Sequence, residues 1–254
     1  MSTTITNALP DIPRLCTGIC EWLACVVYLL IIYRRVPLRR TIAVGLIGLP
    51  AMIAIQYFDG VMPIWFWIIG MLLAFAGMWA IILFGTGTGK REGMYIAARA
   101  FVLAELVASL HWQLVMFLNL GENPERAQLF SLLLLVVTYA ACFTVAWLIE
   151  RGNFANDAPT VATAQLAIGT GAITIMTFAM SNLSFVSTNT PFSGTVGQEV
   201  FYIRTLVDFC GFAILYAQQE QARRMEASAE LASINAQLES QHQEYLASKE
   251  NIES

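Results

Sequence analysis

Within one hydrophobic run, Gly93 to Leu118, stand three ionisable residues, Arg99, Glu105 and His111, spaced six positions apart. A membrane-spanning helix takes about 20 mainly apolar residues, so the run is long enough to cross a bilayer. A charge near the centre of a lone membrane helix costs at least ~3 kcal/mol on insertion scales, and such groups need partners from a surrounding bundle. At about 100° per residue, a step of six turns the direction by ~240°, so the three side chains point about 120° apart. At 1.5 Å per residue, Arg99 and His111 lie ~9 Å to either side of Glu105. Glu105 is thus placed near the midplane, while Arg99 can extend its stem toward the cytoplasm and His111 faces outward. Ser109 and Trp112 share the face of Glu105.

A second hydrophobic run holds the expected counterpart. Arg204 and Asp208 are four residues apart, on one helix face and close enough to pair. Arg204 is expected to reach Glu105 or Asp208, and Asp208 is also open to Arg99. Glu21 is a further candidate member. The expected consequence is that the fourth and seventh spans pack together. Two readings stay open for this network: a salt-bridge cluster that fixes helix packing, or a ligand site or switch. In the second, His111, Trp112 and Arg204 are best placed to meet an extracellular molecule, and His111 adds pH sensitivity.

The composition says what must hold these residues. Hydrophobic residues make up 57% of the 254 and charged residues 13%, with a mean hydropathy of +0.62. A soluble domain is about 45–50% apolar and ~25% charged, which points to an all-α, polytopic membrane protein. The expected spans are Leu15–Tyr33, Thr41–Phe58, Val61–Phe84, Gly93–Leu118, Leu129–Ile149, Val161–Met180 and Val200–Ala217. With only Asp59-Gly60 between them, the second and third are expected to form a helical hairpin. No basic residue precedes Arg14, so the first span is expected to be retained rather than cleaved as a signal peptide.

Charge placement orients the bundle. One side of the expected topology carries Arg34, Arg35, Arg39, Arg40, Lys90, Arg91, Arg151, Arg223, Arg224 and Lys249; the other carries Arg14 and Arg126. By the positive-inside rule the N-terminus lies outside and the C-terminus in the cytoplasm, which seven transmembrane helices satisfy. This topology has two longer outer connections, Asn119–Gln128 and Ser181–Glu199. The second has a composition suited equally to a lid over a ligand and to a plain linker.

Past Ala217 the chain changes character. Residues 1–217 read as a transmembrane sensor domain and 218–254 as a cytoplasmic signalling helix, rich in Gln, Glu, Ala and Ser and free of Pro and Gly. Leu231, Leu238, Tyr245 and Ile252 recur every seven residues, and Ile234 falls at the alternate seam position among Ala227, Gln241 and Ser248. That pattern predicts a parallel coiled coil continuing the last helix, hence a homodimer.

Other chemistry is poorly supplied. The loop Gly85 to Arg91, G-T-G-T-G-K-R, lacks the first glycine and the Ser/Thr of a phosphate loop and reads as a flexible turn. Cys16 and Cys20 share a helix face, but no acidic or histidine cluster completes a metal site. The two lysines, Lys90 and Lys249, are both cytoplasmic in this topology, which excludes a retinal Schiff base. No paired aspartates, zinc motif or nucleophile elbow indicates an intramembrane enzyme. No catalytic residue is assigned, and nothing indicates nucleic-acid binding.

Two segments carry a resemblance. R-A-F-V-L-A-E-L-V-A-S-L-H-W-Q-L, Arg99 to Leu114, resembles part of the membrane region of bacterial sensor kinases with GHKL-type ATPase domains. The tail Q-H-Q-E-Y-L-A-S-K-E-N-I-E-S resembles the helix that precedes their phosphoacceptor histidine. The resemblance implies a bacterial plasma-membrane sensor histidine kinase of a two-component system, similar in layout to the accessory-gene-regulator peptide receptors. It implies a dimer that detects an extracellular peptide or small molecule and phosphorylates a response regulator. The sequence stops at Ser254, ahead of the expected Cys-His-Asp-Leu-Lys-His-like motif. ATP and Mg are therefore implied only for a kinase domain beyond it. His242 lacks the motif and is assigned no phosphotransfer. The alternative is a small-solute or ion transporter or channel that uses the buried Glu/Arg/Asp network as a relay.

Overall fold

The computed structural model describes residues 14–32, 36–61, 67–118, 124–154, 164–187 and 198–253. These form seven helices: α1 (Arg14–Ile32), α2 (Leu38–Val61), α3 (Trp67–Thr86), α4 (Lys90–Phe117), α5 (Pro124–Asn153), α6 (Ala164–Ser187) and α7 (Gln198–Glu253). No strand occurs among the described residues. The first five helices are long and apolar enough to cross a membrane, and α6 holds a shorter apolar stretch, Leu166–Met180.

The distribution of side chains fits a bilayer rather than water as solvent. Ile47, Leu46, Ile168 and Ile175 are among the most exposed large hydrophobics, whereas Arg99, Glu150 and Asp208 are fully buried. In water that arrangement would expose apolar surface and desolvate charge; in lipid it hides the charges and gives the surface its own solvent.

Helix ends obey local chemistry. Thr86 ends α3, and Gly87, with φ of 68°, donates its backbone N–H to Leu83 O at 3.1 Å. This is a left-handed C-terminal cap, for which glycine carries no Cβ penalty. The Thr86 and Thr88 hydroxyls, 3.0 Å apart, tie the turn together. The segment expected to be a flexible turn is therefore a hydrogen-bonded corner. Pro124 opens α5, where its missing N–H leaves no intrahelical bond unmade. Residues 124–128, expected in a connection, belong to that helix. At the other end Arg151 lies 4.9 Å over the Trp147 ring.

Helices α2 and α3 run antiparallel. A Cβ on Gly48 would meet Ile81, one on Gly77 would meet Ile55 and Met52, and one on Gly70 would meet Asp59. Each glycine lets the facing backbone approach, as small residues do between membrane helices. The expected hairpin pairing is present, but Asp59 and Gly60, expected to form its turn, lie within α2, which runs to Val61.

Helix α4 is the centre of the first of two units, Met1–Leu215 and Tyr216–Ser254. Of its apolar span 83% is buried, against 22% for α2 and for α5. Phe101 stacks between Phe75 of α3 and Phe178 of α6, at 5.9 and 5.7 Å between ring centroids. The Cys20 thiol of α1 donates to Ala104 O at 3.3 Å. On α6, Thr177 faces Gly211 of α7 so closely that an added Cβ would stand 2.3 Å from its hydroxyl.

The second unit, Tyr216–Ser254, holds the remainder of α7, which ends at Glu253. Leu231, Ile234, Leu238 and Tyr245 are all exposed in the single chain. The Ile252 side chain and residues 188–197 of the expected outer connection lie outside the described residues.

Candidate functional site

Because α4 is covered on most sides, its charged side chains need partners on other helices, and Arg99, Glu105 and the hydroxyl of Ser109 find them there. Arg99 donates through Nη2 to Glu150 Oε1 of α5 and through Nη1 to Leu215 O of α7 at 2.7 Å. Nη1 also lies 3.2 Å from the Tyr95 hydroxyl, one turn earlier on α4. The guanidinium and the Glu150 side chain are fully buried. Arg99 therefore does not extend to a surface, and its carboxylate partner is Glu150 instead of Asp208. A guanidinium offers five donors in a fixed fork, which lets one residue bind three helices' groups at once.

Further along α4 stands a four-residue cluster. Arg204 Nη2 donates to Glu105 Oε2 at 3.0 Å, and the Ser109 hydroxyl donates to Asp208 Oδ2 at 2.8 Å. Leu215, opposite Arg99, shows that α7 runs against α4. On that register the two contacts cross, since Glu105 precedes Ser109 while Arg204 precedes Asp208. Two carboxylates and one guanidinium thus share a single buried cluster. The expected Glu105–Arg204 contact is present, and α7 is linked to α4 at both levels.

His111 and Trp112 are buried, His111 to 1% exposure, and neither faces open solvent. The imidazole packs edge-on against Tyr139 of α5, 5.6 Å between centroids, and 6.3 Å from Trp112. The Tyr139 hydroxyl in turn donates to Cys16 O at 3.3 Å. His111 is thus an α4–α5 packing residue in this structure, and the exposure expected of it is absent because α5 covers that face.

Glu21, expected as a further member of this network, is bound instead from α2. Gln56 Nε2 of α2 lies 2.8 and 2.9 Å from its two carboxylate oxygens, so an amide and not a guanidinium holds it. Further toward the same end of these two helices Arg14 pairs with Asp59 at 3.0 Å. Among the described residues, no group of three or more His, Cys, Asp or Glu is placed to hold a metal ion.

Sequence reasoning missed Glu150, Gln56 and Tyr95. Glu150 stands one residue beyond the apolar run of α5, where a hydropathy reading stops, and Gln56 carries no charge to draw notice. The signal for Glu150 was arithmetic: a buried Arg99 requires a carboxylate at its own depth.

What the arrangement can do is limited and specific. It holds no nucleophile–base pair. It joins α7 to the central helix through charged hydrogen bonds that are costly to break without replacement. Comparison adds no second line of support. The chain matches no protein-family model, no curated protein and no solved structure. The functional reading therefore rests on the sequence and on this geometry.

Proposed function

We propose that this chain is the membrane-embedded, dimerising sensor part of a bacterial sensor histidine kinase. In this reading all seven helices cross the plasma membrane, with the N-terminus outside and the tail in the cytoplasm. An extracellular or membrane-borne ligand biases α7, and the tail passes the change to a kinase core that would bring ATP, Mg and a response regulator. The observation that carries it is the polar attachment of α7 to α4 by Arg99, Glu105 and Ser109, on a helix that runs without a break from Gln198 to Glu253. A ligand can act there only through different affinity for two conformations, and buried ion pairs favour discrete arrangements over continuous drift.

The tail supports a second copy of this chain as partner. Leu231, Ile234, Leu238 and Tyr245 recur on one seam and are exposed in the monomer, as a coiled-coil interface is before pairing. Insertions of one, two and three residues at Gln218–Gln221 of the full-length kinase test the reading, since each added residue rotates the downstream helix by ~100°. Autophosphorylation should change with the phase of the insertion; indifference to all three would defeat the proposal. The chain alone, incubated with labelled ATP, should stay unlabelled.

A second reading, a solute or ion transporter, draws on Glu21, a buried carboxylate held by an amide. Ion flux in proteoliposomes distinguishes it.

A further inference from the structure

A groove of about 690 Å³ opens between α4, α5 and α7, lined by Leu106, Gln113, Cys142, Val145, Thr205 and Phe209 among others. The volume is that of a small-molecule site. No charged side chain lines it. Its α4 wall runs from Leu103 to Gln113, ~15 Å at 1.5 Å per residue. Two polar atoms of its lining side chains, Gln113 Oε1 and Thr205 Oγ1, are buried and make no hydrogen bond among the described residues. A buried polar atom left unpaired costs free energy, so a ligand that satisfies both gains what the empty groove lacks.

We propose that this groove binds an uncharged, single-chain amphiphile. Its head group donates a hydrogen bond to Gln113 Oε1 and exchanges one with the Thr205 hydroxyl, and its chain lies along Leu106, Val145 and Phe209. The walls select this chemistry. A phosphate head would find no cation among them, and a pure alkane would leave the amide and hydroxyl unsatisfied. A medium-length chain bearing an alcohol meets both demands. The inference rests on the sensing role proposed above and names its ligand class, because the groove and the buried cluster share a helix. Thr205 comes directly after Arg204, and Phe209 directly after Asp208. Occupancy of one edge of α7 therefore bears on the ion pair held by the neighbouring residue.

The test uses the full chain in nanodiscs of phosphatidylcholine with a diazirine-bearing dodecanol, adducts being mapped by peptide mass spectrometry. Adducts should concentrate on the groove segments of α4, α5 and α7, and unlabelled dodecanol should compete about tenfold better than dodecane or dodecyl phosphate. Gln113→Leu with Thr205→Val, close in shape to the native pair, should remove that preference. Ala141→Phe should fill the groove and abolish the adducts. If that variant fails to fold by size-exclusion chromatography, the polar double variant decides. Adducts spread evenly over all helices, equal competition by dodecane or dodecyl phosphate, or an unchanged preference in the double variant would each overturn the proposal. Adduct formation needs no kinase output. A groove that binds in a protein whose output ignores α7 phase would overturn the sensing reading alone, and a groove that fails to bind leaves that reading standing.

Discussion

Arg99 is fully buried and yet binds Glu150, Leu215 O and Tyr95, so its charge is neutralised where it sits. Replacing it with methionine strands the Glu150 carboxylate. Breaking one partner of a buried pair costs on the order of 3 kcal/mol, whereas removing both is often close to neutral. Arg99→Met should therefore lower the thermal midpoint in detergent sharply, and Arg99→Met with Glu150→Met should recover most of the loss. A double variant as unstable as the single one would refute the pairing. The same logic applies to Glu105 and Arg204 at 3.0 Å. Each single reversal should destabilise, and the exchange of the two residues should restore much of the loss; an exchange that rescues neither counts against the contact. Ser109→Ala removes a hydrogen bond to a carboxylate and should cost about 2 kcal/mol in the same assay.

Between elements, the decisive contacts are made by small residues. Gly211 of α7 accepts Thr177 of α6 at a distance that leaves no room for a methyl group, the Thr177 hydroxyl and Cγ2 standing 2.3 and 2.7 Å from an added Cβ. Gly211→Ala should push α7 from α6 and destabilise by about 1–3 kcal/mol, as overpacking does. Thr177→Ala removes both clashing atoms and should rescue it; unfolding midpoints of the three variants check this. Gly87 makes a different demand. At φ of 68° an alanine costs roughly 1–2 kcal/mol, and its Cβ would stand 2.5 Å from Val36. Its substitution should loosen the α3–α4 corner, read as faster amide exchange at Gly89 to Gly93. These two glycines show how partial a sequence reading is at this scale. Gly87 was visible as a turn residue after an apolar run. Gly211 was not, because a lone glycine in a hydrophobic helix looks the same whether a neighbour leans on it or lipid does.

For the whole molecule, the prediction concerns two copies. Leu231→Ser with Leu238→Ser should abolish oxidative cross-linking between chains carrying a single cysteine in the tail, while the bundle residues 14–215 keep their unfolding midpoint. Cross-linking that persists would move the dimer contact away from the tail seam.

Helix periodicity, apolar length and charge separation are properties of a chain read locally, and they determined the helical class, the positions of the apolar segments and the three directions of Arg99, Glu105 and His111. Pairing is not local. Which carboxylate meets which guanidinium depends on the height and rotation of one helix against another, set by contacts such as Gly48 on Ile81 and Gly211 on Thr177. Tertiary structure alone therefore assigned Glu150 to Arg99, crossed the Glu105 and Ser109 contacts on α7, and turned His111 inward against Tyr139. The charged stretch of α4 announced that partners must exist, since a lone charge in lipid is too costly; only packing could say who they are.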